Sequence, residues 1–241
     1  MRFSREYQVH SLECDASDHL NLWGLARYYQ EIAELHAISI GNGFSDLIQH
    51  GKAWVLCRMF FHIDEMPKEW SKINLTTWLR GTNGLFSMRD YRLADQEGRV
   101  LAAASCYWAI IDYETRHVCR LTNLMGDYGF ETEAATPVDE LRKLTCPPMT
   151  DDDIVARIPV LRSFIDHTNH VNNAEYLRII SDYLPNNLIS LRNTDLRIDF
   201  LRETKPDDTL VVSRKQDNNA NWFCISNSQG VSTVARVDSL D

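Results

Sequence analysis

The sequence predicts an α+β protein in which one helix laid against one antiparallel sheet occurs twice. Three observations carry that reading. A short motif repeats: Asp15-Ala-Ser-Asp-His19-Leu-Asn21 recurs as Asp166-His-Thr-Asn-His170-Val-Asn172. Each copy is followed by a stretch with helical apolar spacing and then by strand-like runs. The breaks between those runs are turn chemistry: Glu65-Met-Pro67, Gly81-Thr-Asn-Gly84 and Asp95-Gln-Glu-Gly98 in the first half, Lys205-Pro-Asp-Asp208, Asp217-Asn-Asn219 and Ser228-Gln-Gly230 in the second. A helix followed by a series of strands buries its apolar stripe on the sheet those strands form.

Residues 3–13 alternate and predict a strand. Residues 20–38 carry Leu22, Leu25, Ala26, Tyr29, Ile32, Ala33 and His36 on one helical face, with Ser17 or Asp18 as expected N-cap and Gly41 as end signal. His36, on that apolar face, is expected to be a satisfied core histidine. Strands are expected at 53–63, 72–80, 85–95 and 99–112; Thr76, Thr77, Trp78, Tyr107 and Trp108 suit a pleated surface. Residues 120–156, with Gly126, Gly129, Pro137, Pro147-Pro148 and Asp151-Asp152-Asp153, predict a connector with one helical turn around 138–144. The second half predicts a strand at 157–165, a helix at 173–184 closed by Pro185, and strands at 194–201, 209–216, 222–228 and 231–237. Pro67 and Pro206 fall at similar points in the two halves, an alignment that sets Asp64 opposite Glu203.

Bulk properties exclude several classes. A formal net charge of −9 does not suit a nucleic-acid binder, which needs a basic field. No stretch approaches the roughly 20 apolar residues of a membrane-spanning helix, and the start of the chain has no secretory pattern. The six cysteines are scattered without a C-x-x-C pair, which predicts free thiols in a reducing cytoplasm.

The polar set of the second copy is the candidate site. Its helix starts just after His170, so N–H groups near Val171 to Asn173 are expected to lack intrahelical partners and to favour a developing negative charge. Asp166, Thr168 and His170 alternate before that end and can face one pocket. Glu203, at the end of a strand before the Lys205-Pro206 turn, can meet them and activate water or orient His170. Read singly, Asp, Thr and Asn before a helix are caps worth about 1 kcal/mol. A metal held by Asp166, His167, His170 and Glu203 is the weaker reading, because three-residue His spacing in a loop is unspecific. No cofactor is expected. Trp54, Trp78, Tyr107 and Trp108 are expected in the core, some of them lining an apolar channel.

Several segments together resemble the acyl-acyl-carrier-protein thioesterase family of plants and bacteria. They are Ala53-Trp-Val-Leu-Cys-Arg-Met59, Asn74-Leu-Thr-Thr-Trp78, Met88-Arg-Asp-Tyr91, Ala103-Ala-Ser-Cys-Tyr-Trp108, His170-Val-Asn-Asn173 with Tyr176, and Phe200-Leu-Arg-Glu203. The resemblance implies two tandem hotdog folds, each a long helix wrapped by an antiparallel sheet. The first hotdog, residues 1–119, would shape the acyl pocket; 120–156 would link; 157–241 would carry catalysis. It implies hydrolysis of fatty acyl-acyl-carrier-protein in fatty acid biosynthesis, with the carrier as partner, and leaves room for a homodimer. Its catalytic set falls on Asp166, Thr168, His170 and Glu203, with Asn169, Val171 and Asn172 beside the substrate. Threonine stands at Thr168 where the family has asparagine, and Thr204 where it has cysteine, which favours water activated by Glu203 over a covalent route. Action on acyl-CoA, or acyl binding with weak catalysis, are the alternatives.

Overall fold

The computed structural model describes residues 1–121, 129–185, 188, 190–218 and 220–240; Gly126 of the connector and Asn219 of a predicted turn lie outside them. The first half contains β1 (Arg2–Gln8), α1 (Leu22–Ser39), a short α2 (Phe44–Ile48), β2 (Lys52–Ile63), β3 (Lys72–Thr82), β4 (Ser87–Ala94) and β5 (Val100–Asp112). The second contains β6 (Ile154–Pro159), α3 (Asn173–Asp182), β7 (Thr194–Phe200), β8 (Thr209–Asp217), β9 (Ala220–Asn227) and β10 (Gly230–Ser239). All the strands join one antiparallel sheet in the order β1-β3-β4-β5-β2-β7-β10-β9-β8-β6. Read outward from the β2–β7 seam, the two halves have the same order. The seam pairs Arg58 with Asp199 through Ile63 with Thr194.

The two long helices, α1 and α3, lie on one face of this sheet. α1 buries Leu22, Leu25, Ala26, Tyr29, Ile32, Ala33 and His36, the stripe its spacing predicts. One continuous core joins Tyr29, Phe61 and Tyr91 of the first half to Tyr176, Ile180 and Phe223 of the second. The helices also meet each other, where the Trp23 indole donates to Glu175 at 2.9 Å. Gly41, at φ +71°, donates its N–H to Ile38 and stops α1. Among the described residues no helix is long and apolar enough to cross a membrane.

Three boundaries differ from the sequence expectation. The strand expected at 3–13 ends at Gln8, and that expected at 157–165 is Ile154–Pro159; each is followed by a 3-10 turn, at Ser11–Glu13 and Arg162–Phe164. The chain must leave the sheet edge there to carry the motif over to its helix. The N-cap of α1 is Asn21, whose side chain accepts from Gly24 N–H at 2.8 Å, in place of Ser17 or Asp18. Those two residues belong to a closed turn of their own. No helical turn forms at 138–144.

The reason is that the connector's polar groups are taken up by the sheet. Residues 131–148 run across the face opposite the helices, meeting its strands in spatial order. Glu131 N–H reaches Leu79 O of β3 at 2.9 Å, and Ala135 N–H reaches the Asp90 carboxylate of β4 at 2.7 Å. Thr136 meets Ser105 of β5 at 2.8 Å, and Arg58 of β2 donates to Leu141 O at 2.7 Å. Leu144 N–H reaches Asp199 of β7 at 2.8 Å, and Lys215 of β8 donates to Pro148 O at 2.9 Å. Burial pushes the Asp90 and Asp199 carboxyls up, opposed by the N–H groups they accept from and by Arg80 and Arg58. Asp90→Ala would strand the Ala135 N–H; the expected cost is about 1–3 kcal/mol, read from urea unfolding. An unchanged unfolding midpoint would remove Asp90 as an anchor of the connector.

Candidate active site

The repeated motif folds into the same loop twice. In the first copy Asp15 N–H reaches His19 O at 2.8 Å, Ser17 N–H and Oγ both donate to the Asp15 carboxylate at 2.8 and 2.7 Å, and Asp18 sits at φ +60°. In the second, Asp166 N–H reaches His170 O at 2.9 Å, Thr168 N–H and Oγ1 both donate to Asp166 at 2.8 and 2.6 Å, and Asn169 sits at φ +64°. The aspartate is therefore the organiser of each loop, as expected from a short carboxylate two residues before a turn.

The copies diverge at one place. His170 Nε2 lies 3.2 Å from Glu203 Oε2, and the other Glu203 oxygen is held by Arg116. Asp166, Thr168, His170 and Glu203 thus come together as predicted from the sequence. The alignment of Asp64 with Glu203 is corrected. Leu20 N–H donates to Pro67 O and Val171 N–H to Thr204 O, at 2.8 and 2.9 Å. Pro67 therefore matches Thr204, and the buried Met66 stands where Glu203 stands. Asp64 instead lies beside His62, at 3.7 Å from its Nε2. The two prolines misled the alignment because Pro206 lies two residues beyond the position that matches Pro67.

Arg116 was not singled out in the sequence, and nothing local could have done so. It lies in the turn after β5, at φ +61°, with its N–H on Asp112 O. It crosses from the first half to the second half's carboxylate. His170 is held below the usual imidazole range by burial first and then by the Arg116 charge; Asp166 and the Thr168 carbonyl oppose this, and Lys205 adds to it. The ring faces acceptors on both nitrogens, Glu203 on one and Thr168 on the other. A neutral imidazole has one N–H for the two, so one nitrogen keeps a lone pair able to take a proton.

The helix start offers fewer free donors than its sequence suggests. Val171 N–H is used by Thr204 O and Asn172 N–H by Phe164 O, both at 2.9 Å. Asn172 caps α3, accepting from Ala174 N–H at 2.8 Å. Thr168 spends its hydroxyl proton on Asp166. Asn169 is exposed and makes no side-chain hydrogen bond among the described residues. The donor left over is Asn173, the first residue of α3. Its N–H has no partner among the described residues, and it lines a narrow apolar passage with Tyr29, Met59, Leu177 and Phe200. Of the N–H groups expected open from Val171 to Asn173, those of Val171 and Asn172 are spent on carbonyls outside the helix, and that of Asn173 remains. Thr204 is 1% exposed and bonded to Tyr176 and Asn227, so it offers no nucleophile. Among the described residues no group of three or more His, Cys, Asp or Glu is placed to hold a metal ion.

The passage leads away from the site into the first half. Gln30 and Trp108 line both it and a larger cleft under α1, with about 510 Å³ of empty space including its open mouth. Trp54, Ala33, Ala37 and Leu79 form the cleft's apolar wall. Trp54 and Trp108 are channel residues, whereas Trp78 and Tyr107 are buried away from it, against the connector. Deep to the cleft, Arg89 donates to His36 Nδ1 at 2.8 Å. Phe44 of α2 packs edge-on against His167, tying the cleft's rim to the second-half loop.

Known proteins share both sequence and fold with this chain. The family models described as the acyl-ACP thioesterase N-terminal and C-terminal domains match residues 1–126 and 149–237. An oleoyl-acyl carrier protein thioesterase of Arabidopsis thaliana is 23% identical over 95% of this chain and 69% of its own length. A Cuphea viscosissima acyl-[acyl-carrier-protein] hydrolase is 23% identical over 86% of this chain, which spans 53% of that protein. The crystal structure of an acyl-ACP thioesterase from Bacteroides thetaiotaomicron superposes with TM-score 0.88 at 22% identity, covering 98% of this chain and 97% of that one. A 12:0-ACP thioesterase from Umbellularia californica gives TM-score 0.82 at 17% identity, covering 98% and 96%. These likenesses establish the tandem hotdog fold.

His36 gives the cleft a pH signature. It is 1% exposed, and burial, then Arg89, then the N-terminal ammonium lower it from 6.5 to about 4. As pH falls from 6.5 to 4 the unfolded chain takes the proton and the folded one does not. Stability is full above 6.5 and declines below it, by up to about 3 kcal/mol at pH 4. His36→Gln keeps an acceptor for Arg89 and does not titrate. Its unfolding free energy should lose that part of the acid slope; parallel slopes for the two proteins would refute the assignment.

Proposed function

The chain belongs to the acyl-ACP thioesterase family, thioester hydrolases of fatty acyl-acyl-carrier-protein, and we propose that it performs this reaction where its two halves meet. The observation that carries the reading is the His170–Glu203 contact, three residues ahead of an Asn173 N–H that has no partner among the described residues and whose residue lines an apolar passage. Glu203 takes a proton from water. The water oxygen attacks the thioester carbonyl carbon, and the Asn173 N–H, at the positive end of α3, holds the oxygen that becomes negative. The C–S bond then breaks, and the thiolate takes the proton back through His170. Arg116 fixes one carboxylate oxygen and leaves the other facing His170. Asp166 and Thr168 hold the loop, and Asn169, Val171 and Asn172 act through the loop and cap more than by direct contact with substrate.

The acyl chain enters the passage and extends into the cleft under α1, so the first half, residues 1–119, sets specificity. The segment 120–156 links, and 157–241 supplies the base. Arg116 and Lys205 act on His170. Arg116 is neutralised by Glu203, so of the two only Lys205 offers a chain of net charge −9 a positive group here for an anionic carrier. The acyl carrier protein is the partner in this reading. A reducing cytoplasm suits six cysteines, none of them joined in a disulfide.

Two experiments bear on the mechanism. Glu203→Ala should lower kcat on acyl-ACP by roughly 10²-fold or more, as loss of a general base does, while His19→Ala, in the copy with Met66 opposite, should leave turnover normal. Equal rates for Glu203→Ala and wild type would end the assignment. Asn173→Pro is the sharper variant. Proline suits the first helical position, and Asn172, at φ −62° and ψ 141°, already has the backbone a following proline requires. The helix should survive while the N–H is lost, with kcat down roughly 10²- to 10³-fold. Full activity in Asn173→Pro would place the oxyanion elsewhere.

A further inference from the structure

The cleft under α1 has a cation in its lining. Arg89 is 5% exposed and lines the cleft. Its hydrogen bonds among the described residues come from Nη1 alone, to His36 Nδ1 at 2.8 Å and Thr77 Oγ1 at 3.2 Å. Nη2 and Nε are left over, and no carboxylate pairs with the group. Asp90, next in sequence, points to the other face, toward Ala135 and Arg80. Glu34 lines the same cleft but accepts from Phe44 N–H at 2.9 Å. His36, held neutral, balances none of the charge.

A second polar group on the same route is also unsatisfied. Tyr29 is 1% exposed, stacked between Phe61 and Tyr91, and lines the narrow passage. Its hydroxyl is buried with no hydrogen-bond partner. A plain alkyl chain filling the cleft would shut the spare Arg89 donors away from water, which is costly for a guanidinium, and would leave the buried Tyr29 hydroxyl as unpaired as it is now. An acyl chain that brings an oxygen to the cleft would pair with the Arg89 donors.

We propose that the cleft selects acyl chains bearing an acceptor oxygen at the distal end, a hydroxyl or a carboxylate, and that Arg89 is the residue that reads it. The proposal rests on the thioesterase reading for its substrate, though not for the ligand chemistry of the cleft. Guanidinium donors and a distal oxygen give discrimination that an apolar pocket cannot, because the analogue lacking the oxygen leaves the donors unpaired.

The test compares three acyl-ACP thioesters of equal chain length: unsubstituted, ω-hydroxyl and ω-carboxyl. Wild type should show a kcat/KM for at least one oxygenated chain roughly 10-fold or more above the plain one. In Arg89→Met that ratio should fall by roughly 10- to 100-fold, the worth of one hydrogen bond to a charged group. Arg89→Lys, which keeps the charge, should retain part of it. A wild type that prefers the plain chain, or an Arg89→Met with an unchanged ratio, overturns the proposal. The wild-type comparison needs no variant, so a poorly folded Arg89→Met does not remove the test. Calorimetry with the three free acids separates the two readings. If the oxygenated acids bind wild type better than the plain acid and none of the thioesters is hydrolysed, the thioesterase reading fails and the cleft assignment stands. If thioesters are hydrolysed and the acids bind alike, the reverse holds.

Discussion

The antiparallel pairing of β2 with β7 is the constraint on which the rest depends. It turns two similar units into one sheet with a shared core, and it fixes how they face each other. Because β2 carries the first half's core residues Phe61 and Met59 and β7 carries Leu196 and Ile198, the seam is buried, and a slip by one residue would turn every one of these outward. The connector reinforces the same register from behind. Arg58 and Asp199, paired across the seam, each also hold a backbone group of the connector. From that register follow the reach of Arg116 to Glu203, the contact of His167 with Phe44, and a passage from Asn173 into the first half.

Duplication explains the site, and divergence gives it chemistry. Two loops with the same hydrogen bonds, the same left-handed residue and the same helix cap show that Asp166 and Thr168 are as structural as Asp15 and Ser17. What the second loop adds is a partner for its histidine. Where the first half has the buried Met66, the second has a carboxylate that meets the loop's histidine and an arginine from the other half. The first half moved in another direction. It kept the longer helix and opened a cleft beneath it.

Buried polar groups divide into those the fold uses and those it leaves open. Asp90, Asp199, Ser105 and Thr136 are all satisfied by the connector, which is why a segment rich in proline and acidic residues lies ordered on a sheet. The Tyr29 hydroxyl and the Asn173 N–H, without a partner among the described residues, belong to residues that line the narrow passage, and Arg89 lines the neighbouring cleft, whereas the equally unpartnered Tyr7 and Thr233 hydroxyls line neither. A protein interior tolerates few such groups.

The sequence by itself determined the element order, the duplication, the helical face of α1 and the grouping of Asp166, Thr168, His170 and Glu203. These are legible because each depends on neighbours a few residues away: apolar period, turn chemistry, or an aspartate organising its own loop. Even so, two prolines close to the true alignment point placed Asp64 where Met66 belongs, since a turn's register is set by hydrogen bonds and not by its commonest residue. Only the tertiary structure decided that Arg116 meets Glu203, that Val171 and Asn172 have spent their N–H groups while Asn173 has not, and that Arg89 lines the cleft. Those facts depend on which strands lie side by side, and strand partners distant in sequence leave no periodicity for a reader of one chain to find.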